Sequence, residues 1–206
     1  LYGPEALEQV EINAKKIADA FDNDTNIPAK VICKPVVRNS EEITKVIMDA
    51  NNDPDCTGII TWMHTFSPSK MWIRGLSLLQ KPYLHINTQY NKAIPWDEID
   101  MDFMNLNQSA HGDREHGFIG TRMDISRKVV VGHWSDETVT KKIGSWMRAA
   151  IGAYESKKIK VLRLSDNMRD VAVTEGDKVE AEIKLGWSVN HWGIGDLVAK
   201  MDKVTD

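Results

Sequence analysis

Short apolar runs alternate with amphipathic helical patterns along most of the chain, and this alternation limits the possible folds more than any other feature. Five runs predict strands, over residues 30–37, 58–62, 82–87, 128–134 and 159–164. Helical spacing of apolar residues predicts helices over 4–22, 39–53, 68–80 and 135–156. Strands that are apolar on both faces and separated by helices indicate an α/β fold. We predict a mostly parallel, doubly wound sheet of the Rossmann-like or flavodoxin-like kind.

Two domains are predicted from the same pattern. Because the chain opens on a helix, we expect the first strand of the sheet to be missing. The strand over 159–164 is followed by a short helix over 178–185, a strand over 187–192 and a last helix from residue 195. We therefore predict an amino-terminal α/β domain over 1–159 and the truncated beginning of a second α/β domain over 160–206.

Composition excludes several classes of function. The formal charge is −4, and basic residues do not gather with aromatic residues into a nucleic-acid surface. Apolar runs are too short to span a membrane, and the start has no signal-peptide pattern. Cys33 and Cys56 lie in or beside apolar runs, which predicts buried free thiols and a reducing compartment. We expect a cytoplasmic protein without a membrane or nucleic-acid partner.

The segment 101–120 is too polar for an ordinary core element. If it forms one helix, an outward side would contain Met101, Met104, Gln108, His111 and Glu115. The opposite, packed side would contain Ile99, Phe103, Leu106, Ala110 and Gly117. Two interpretations remain open: a solvated or interface helix, or a helix whose amide, imidazole and carboxylate groups bind a ligand.

Other candidate motifs are weaker. His111 and His116 nearly form a zinc-binding pattern, but they would point about 140° apart on a helix and cannot bind one ion from one face. His64 and His133 each follow a predicted strand and receive no role. Four tryptophans are candidates for lining a sugar pocket or for filling the core: Trp62, Trp72, Trp96 and Trp187.

Several long motifs resemble the bacterial L-arabinose isomerases across the whole chain. They are LYGPEAL (1–7), WMHTFSPSKMWI (62–73), DMDFMNLNQSAHGDREHGFIG (100–120), GHW (132–134), GSWMR (144–148) and DNMRDVAVTEGDKV (166–179). The resemblance implies that the chain corresponds to an amino-terminal portion of such an enzyme, and that residues 160–206 begin its central domain.

The resemblance also implies a reaction and a cofactor. The family interconverts L-arabinose and L-ribulose, and D-galactose and D-tagatose, with a divalent metal such as Mn²⁺. Two glutamates and two histidines bind the metal in that family, and all four would lie beyond Asp206. We therefore expect neither a metal ligand nor a catalytic carboxylate in this chain, and the isolated chain should be inactive.

Substrate-contacting positions of the family do fall within this chain. They are Leu1, Tyr2, Phe66, Gln108, His111 and Met168. The resemblance implies that Phe66, Gln108 and His111 reach the active site of a neighbouring subunit in a homo-oligomer, typically a hexamer. The alternative hypothesis is a non-catalytic sugar-binding or oligomerisation module.

Overall fold

The computed structural model describes residues 4–65 and 68–205. The chain divides into two compact units, one ending at Ala150 and the other beginning at Ile151. This boundary lies within a long helix, Glu137–Ser156, and therefore before the predicted division at residue 160.

The first unit is an α/β layer structure. Its elements are α1 (Pro4–Asp22), α2 (Ser40–Asn52), β1 (Ile59–Trp62), a 3₁₀ turn (Ser69–Trp72), α3 (Ile73–Leu78), β2 (Tyr83–Asn87), α4 (Met101–Leu106), α5 (Ser109–Arg122), β3 (Lys128–Val131) and most of α6 (Glu137–Ser156). The three strands are parallel in the order β1-β2-β3. The predicted parallel α/β fold is confirmed.

Helices cover both faces of this sheet. Side chains alternate between the faces along each strand, so each face has residues that pack against a helix layer. Leu84, Ile86 and Val130 contact α1 and α6 on one side. Tyr83 lies on the other side, where the core includes residues of α2, α3 and α5. The central strand β2 is buried on both faces, as expected for a doubly wound sheet.

The predicted strand over 30–37 is wrong. These residues form no strand, and the backbone N–H of Val31 donates instead to the Asp22 carboxylate. Val31 and Val37 still contact the core, because an apolar pattern specifies burial but not strand pairing. Cys33 is exposed and Cys56 half-buried, so the predicted burial of both thiols is also wrong.

The single helix predicted over 101–120 is interrupted. Asn107 ends α4, and its side chain hydrogen-bonds to Asn91 and to the Phe103 carbonyl. Gln108 then precedes α5 in a non-helical conformation. Asparagine side chains compete with helical hydrogen bonds in this way, which accounts for the break.

The second unit begins with the last residues of α6 and contains β4 (Lys160–Leu164), a 3₁₀ turn (Ala172–Thr174), α7 (Lys178–Leu185), β5 (Ser188–Trp192) and α8 (Ile194–Met201). Its two strands are parallel. Asp177 caps α7 at its start, and Gly186 ends it in the left-handed conformation. Among the described residues, no helix is long and apolar enough to cross a membrane.

Candidate functional site

The carboxyl ends of the parallel strands place polar and aromatic residues along one edge of the first sheet, where ligands bind in open α/β folds. His64 follows β1, and its Nε2 lies 2.8 Å from Asn13 Nδ2. His133 follows β3 and hydrogen-bonds to Ser135 Oγ (2.8 Å) and the Tyr90 carbonyl (3.1 Å). Both histidines therefore have partners within the rim of the sheet. Burial lowers the pKa of His64 to about 4, so its ring is neutral near pH 7.

The tryptophans have separate environments. Trp62 packs against the α1 and α6 side of the sheet, and its indole N–H donates to the Thr88 carbonyl. Trp72 is buried on the opposite side, while Trp96 is 76% exposed. These three do not line a common pocket. Trp187 belongs to the second unit and donates to Ser156 Oγ.

Helix α5 presents two of the predicted sugar-contacting residues at its amino-terminal end. Gln108 is the half-buried residue before the helix, and His111 lies exposed in the first turn. Glu115, one turn after His111, is half-buried. An amide and an imidazole close together can donate to and accept from sugar hydroxyls, so this end of α5 is suited to binding a polyol.

The packed side of α5 differs from the predicted one. Ala110 is exposed and Gly117 is only half-buried, whereas Ser109, Gly112, Asp113, His116, Ile119 and Gly120 are buried. The helical pattern correctly grouped His111 with the exposed residues, but it placed the wrong set against the sheet. Polar side chains occupy the buried side because the sheet offers them polar partners.

Those partners form a continuous chain of buried hydrogen bonds between α5 and the sheet, which we call the buried polar network. Asp113 Oδ1 lies 2.6 Å from His85 Nε2, and His85 Nδ1 lies 2.9 Å from Thr61 Oγ1. Thr61 Oγ1 is also 2.9 Å from the Tyr83 hydroxyl, which hydrogen-bonds to His116 Nε2. Five buried polar side chains thus link β1, β2 and α5.

Burial determines the charge of the network. It raises the pKa of Tyr83 to about 12 and lowers that of His116 to about 3, so both groups are neutral near pH 7. Burial also raises the pKa of the Asp113 carboxyl, and the hydrogen bond with His85 opposes this rise. Asp113 Oδ2 and His116 Nδ1 have no hydrogen-bond partner among the described residues.

Two neighbouring side chains donate hydrogen bonds to backbone carbonyls of α5. Ser69 Oγ donates to the carbonyl of the buried Gly112. At the other end, the Arg127 guanidinium donates to the Gly117 carbonyl and lies against Gly120, where a Cβ would be 2.8 Å from Arg127 Cζ. Hydrogen bonds from Ser69 and Arg127 therefore hold α5 at two separate points along its length.

The remaining predicted site residues lie either outside the described residues or in the second unit. Leu1, Tyr2 and Phe66 lie outside the described residues. Met168 is 63% exposed in the second unit, and its N–H donates to Thr174 Oγ1. The sugar-contacting role of these residues stays a prediction.

The described residues contain no group of three histidine, cysteine or acidic side chains that could hold a metal ion. His116 is buried and His111 exposed, so these two imidazoles lie on different sides of α5. The residues present in this part of the chain do not fit a resident divalent metal.

Sequence reasoning missed the buried polar network. One signal was available in β2, where Tyr83 and His85 alternate with Leu84 and Ile86, which indicates a strand with one polar buried face. A second signal was the pair Asp113 and His116, which are neighbours on one side of a helix. The two signals are informative only together, because the polar residues of β2 and those of α5 are each other's hydrogen-bond partners.

Comparison with known proteins covers the whole chain. Residues 1–158 match the L-arabinose isomerase N-terminal domain, and residues 160–206 match the L-arabinose isomerase central domain. The chain is 59% identical over all 206 residues to L-arabinose isomerases of Thermotoga petrophila and Clostridium beijerinckii. It is 58% identical to that of Geobacillus stearothermophilus. In each case it spans 42% of the relative's length.

Proposed function

Because the chain belongs to the L-arabinose isomerase family, we propose that it acts as part of an aldose–ketose isomerase that interconverts L-arabinose and L-ribulose, and D-galactose and D-tagatose. The observation that supports this most is the 59% identity over the full 206 residues, which includes the segment with Gln108 and His111. The structure adds that both residues lie together at an accessible end of α5.

The proposed task of this part of the enzyme is to bind and orient the sugar. Gln108 and His111 would hydrogen-bond to its hydroxyls, while Leu1, Tyr2, Phe66 and Met168 would provide further contacts. Orientation of this kind contributes to rate by holding the reacting atoms in position. Proton transfer between adjacent carbons would be performed by groups outside this chain.

Mn²⁺ or a similar divalent ion is proposed as the cofactor of the full-length enzyme. It would polarise the sugar oxygens, and its ligands would be two glutamates and two histidines beyond Asp206. We also propose a cytoplasmic homo-oligomer, a hexamer, in which Phe66, Gln108 and His111 contribute to a neighbouring subunit's site. Exposed apolar side chains on and before α4, at Trp96, Met101 and Met104, support a subunit interface in this region.

A second candidate is a non-catalytic sugar-binding or oligomerisation module. The lack of a metal-binding group among the described residues favours it for a free-standing chain. The gene's reading frame distinguishes the two functions. A frame that continues past Asp206 into a metal-binding half supports the isomerase, and a stop codon at that point contradicts it.

The activity is tested with the full-length enzyme and two variants of α5. His111→Ala should lower kcat/KM for L-arabinose by about tenfold or more, because positioning errors of this kind are costly, while bound Mn²⁺ stays unchanged. Arg122→Ala, an exposed change at the far end of α5, is the matched control and should retain activity. Loss of metal from His111→Ala would contradict the proposed role.

Sharing of the site between subunits has its own test. His111→Ala and an inactive variant without one metal-binding glutamate are unfolded and refolded together, and native mass spectrometry confirms mixed oligomers. If α5 serves a neighbouring subunit, some mixed sites contain both an intact ligand set and an intact His111, and activity returns. Mixed oligomers without activity would contradict shared sites.

A further inference from the structure

Two of the hydrogen bonds that hold α5 lie beside Gln108 and His111 at its amino-terminal end. Ser109 directly follows Gln108, and its Oγ donates to the Thr88 carbonyl at 2.5 Å. Asp113 follows His111 by half a turn and hydrogen-bonds to His85 at 2.6 Å. Ser109 and Asp113 are both buried, whereas Gln108 is half-buried and His111 exposed.

The two anchors attach α5 to the strand that the helix must be positioned against. His85 lies within β2, and Thr88 directly follows its last residue, Asn87. Each bond is short and directional, and neither reaches solvent. Removing either anchor would let the first turn of α5 shift relative to the carboxyl end of β2.

We propose that Ser109 and Asp113 are positioning residues that hold Gln108 and His111 in place for the sugar. This inference rests on the proposed function, because it assumes that Gln108 and His111 contact the substrate. Neither anchor touches the substrate in this scheme. Their effect on catalysis passes through the outward-facing residues of the same helix.

His85 makes this a specific attachment rather than general packing. Its two ring nitrogens are bonded to Asp113 and Thr61, so the ring cannot turn without breaking a buried hydrogen bond. The carboxylate therefore meets a donor whose position is itself fixed by β1. A shift of Asp113 would leave its Oδ1 and the His85 Nε2 unpaired inside the protein, which is costly.

The test is a double-mutant cycle in the full-length enzyme. Asp113→Ala should lower kcat/KM for L-arabinose by about tenfold or more in the wild-type background, as expected for a small displacement of contacting groups. In the His111→Ala background the same change should cost a clearly smaller factor, because one of the two groups that Asp113 positions is already absent. Asp102→Ala, an exposed acidic residue on α4, is the control and should change neither value.

A purely structural role predicts a different result. If Asp113 only stabilises the fold, its loss should lower activity by the same factor in both backgrounds, or not at all when assays are run well below each variant's melting temperature. Either result would overturn the proposal. Unchanged kcat/KM in His111→Ala itself would instead overturn the proposed sugar-contacting role of His111, so the two failures are distinguishable.

Ser109→Ala keeps the proposal testable if Asp113→Ala does not fold. It removes one hydroxyl and should also lower kcat/KM, with a smaller effect in the His111→Ala background. Hydrogen exchange of peptides covering 105–113 should be faster in Ser109→Ala than in the exposed-site control Ser126→Ala. Unchanged exchange together with unchanged kcat/KM would overturn the role of Ser109.

Discussion

The two faces of the first sheet are built by the same three strands but are stabilised by different interactions. Toward α1 and α6, β2 presents Leu84 and Ile86, which pack with Val130 into an apolar core. Toward α5, the same strand presents Tyr83 and His85, which belong to the buried polar network. Apolar packing depends on buried area and shape, whereas hydrogen bonds also determine direction and register.

This difference explains where the candidate site lies. A helix held by apolar contacts can shift slightly and remain packed, but a helix held by directional bonds has one favourable position. The outward-facing residues of α5 are therefore better placed to recognise a ligand than residues on the helices of the apolar face. Four measurements test this contrast between the two faces.

Leu84→Ala should show how much apolar packing contributes to the free energy of unfolding. Leu84 is fully buried, and large-to-small changes of this kind cost about 3 kcal/mol in the free energy of unfolding. Urea unfolding followed by circular dichroism measures the loss. Leu78→Ala is the matched control, since Leu78 is 41% exposed, and it should cost about 1 kcal/mol or less. Equal losses would show that burial in this core does not determine stability.

Tyr83→Phe should show what a hydrogen bond contributes to the opposite face. The change keeps the ring but leaves Thr61 Oγ1 and His116 Nε2 without their shared partner. We expect the free energy of unfolding, measured in urea, to fall by about 2 kcal/mol. Tyr90→Phe is the control, because its ring contact with Trp134 is retained. If Tyr83→Phe lowers the free energy of unfolding no more than Tyr90→Phe does, the buried polar network does not stabilise the protein.

Acid should destabilise the protein through its buried histidines. The pKa of His64 is lowered from 6.5 to about 4 and that of His116 from 6.5 to about 3, so between pH 6.5 and 4 the unfolded chain binds protons that the folded chain does not. The free energy of unfolding should fall with pH by up to about 1.4 kcal/mol per unit for each histidine. Asp113 acts in the opposite direction, because its raised pKa favours proton binding by the folded state.

Urea unfolding between pH 7 and pH 5 measures this slope. His64→Gln removes one of the two titrating groups and should make the slope shallower. His111→Gln is the control, because that side chain is exposed. An equal slope in wild type and His64→Gln would contradict the assignment of acid sensitivity to this buried ring.

Gly117→Ala should change the stability of the protein least of the four, and it alone should increase it. A Cβ at this position of α5 would meet nothing within 4 Å, and alanine favours a helix by about 0.5 to 1 kcal/mol. Gly120→Ala is the contrasting variant on the same helix, because its Cβ would lie 2.8 Å from Arg127 Cζ. Thermal unfolding should show a gain in stability for Gly117→Ala and a smaller gain or none for Gly120→Ala, which would displace the Arg127 guanidinium from the Gly117 carbonyl. A lower stability of Gly117→Ala would mean that another group lies against α5 at this position.

Sequence patterns were sufficient for most helices and for the parallel strands, because apolar spacing reflects burial directly. They were insufficient for α5. A helical wheel shows which residues share a side, but the choice of the buried side depended on Asp113 and His116 meeting His85 and Tyr83 from a distant part of the chain. The strand predicted over 30–37 failed for a related reason, since pairing depends on a neighbour that local sequence does not specify.

The break between α4 and α5 could have been suspected but not located. Asn105 and Asn107 are both poor helix formers, and either could end a helix. The helix ends at Asn107 because Asn91 hydrogen-bonds to the Asn107 side chain through both its backbone and its own side chain. Gln108 and His111 therefore kept their predicted outward side, although they belong to the start of a new helix rather than the middle of a long one.

The buried polar network has one further consequence, which follows from counting its hydrogens. If Asp113 is ionised and His85 carries a single ring proton, His85 must donate from Nε2 and accept at Nδ1 from Thr61, whose oxygen then accepts from Tyr83. Tyr83 has then used its only hydrogen, so His116 must donate to it from Nε2 and is left bare at Nδ1, the atom that has no described partner. The tautomers of the two imidazoles, which lie on different elements, are therefore set together, and a proton on Asp113 Oδ1 would reverse every donor and acceptor in this series of hydrogen bonds.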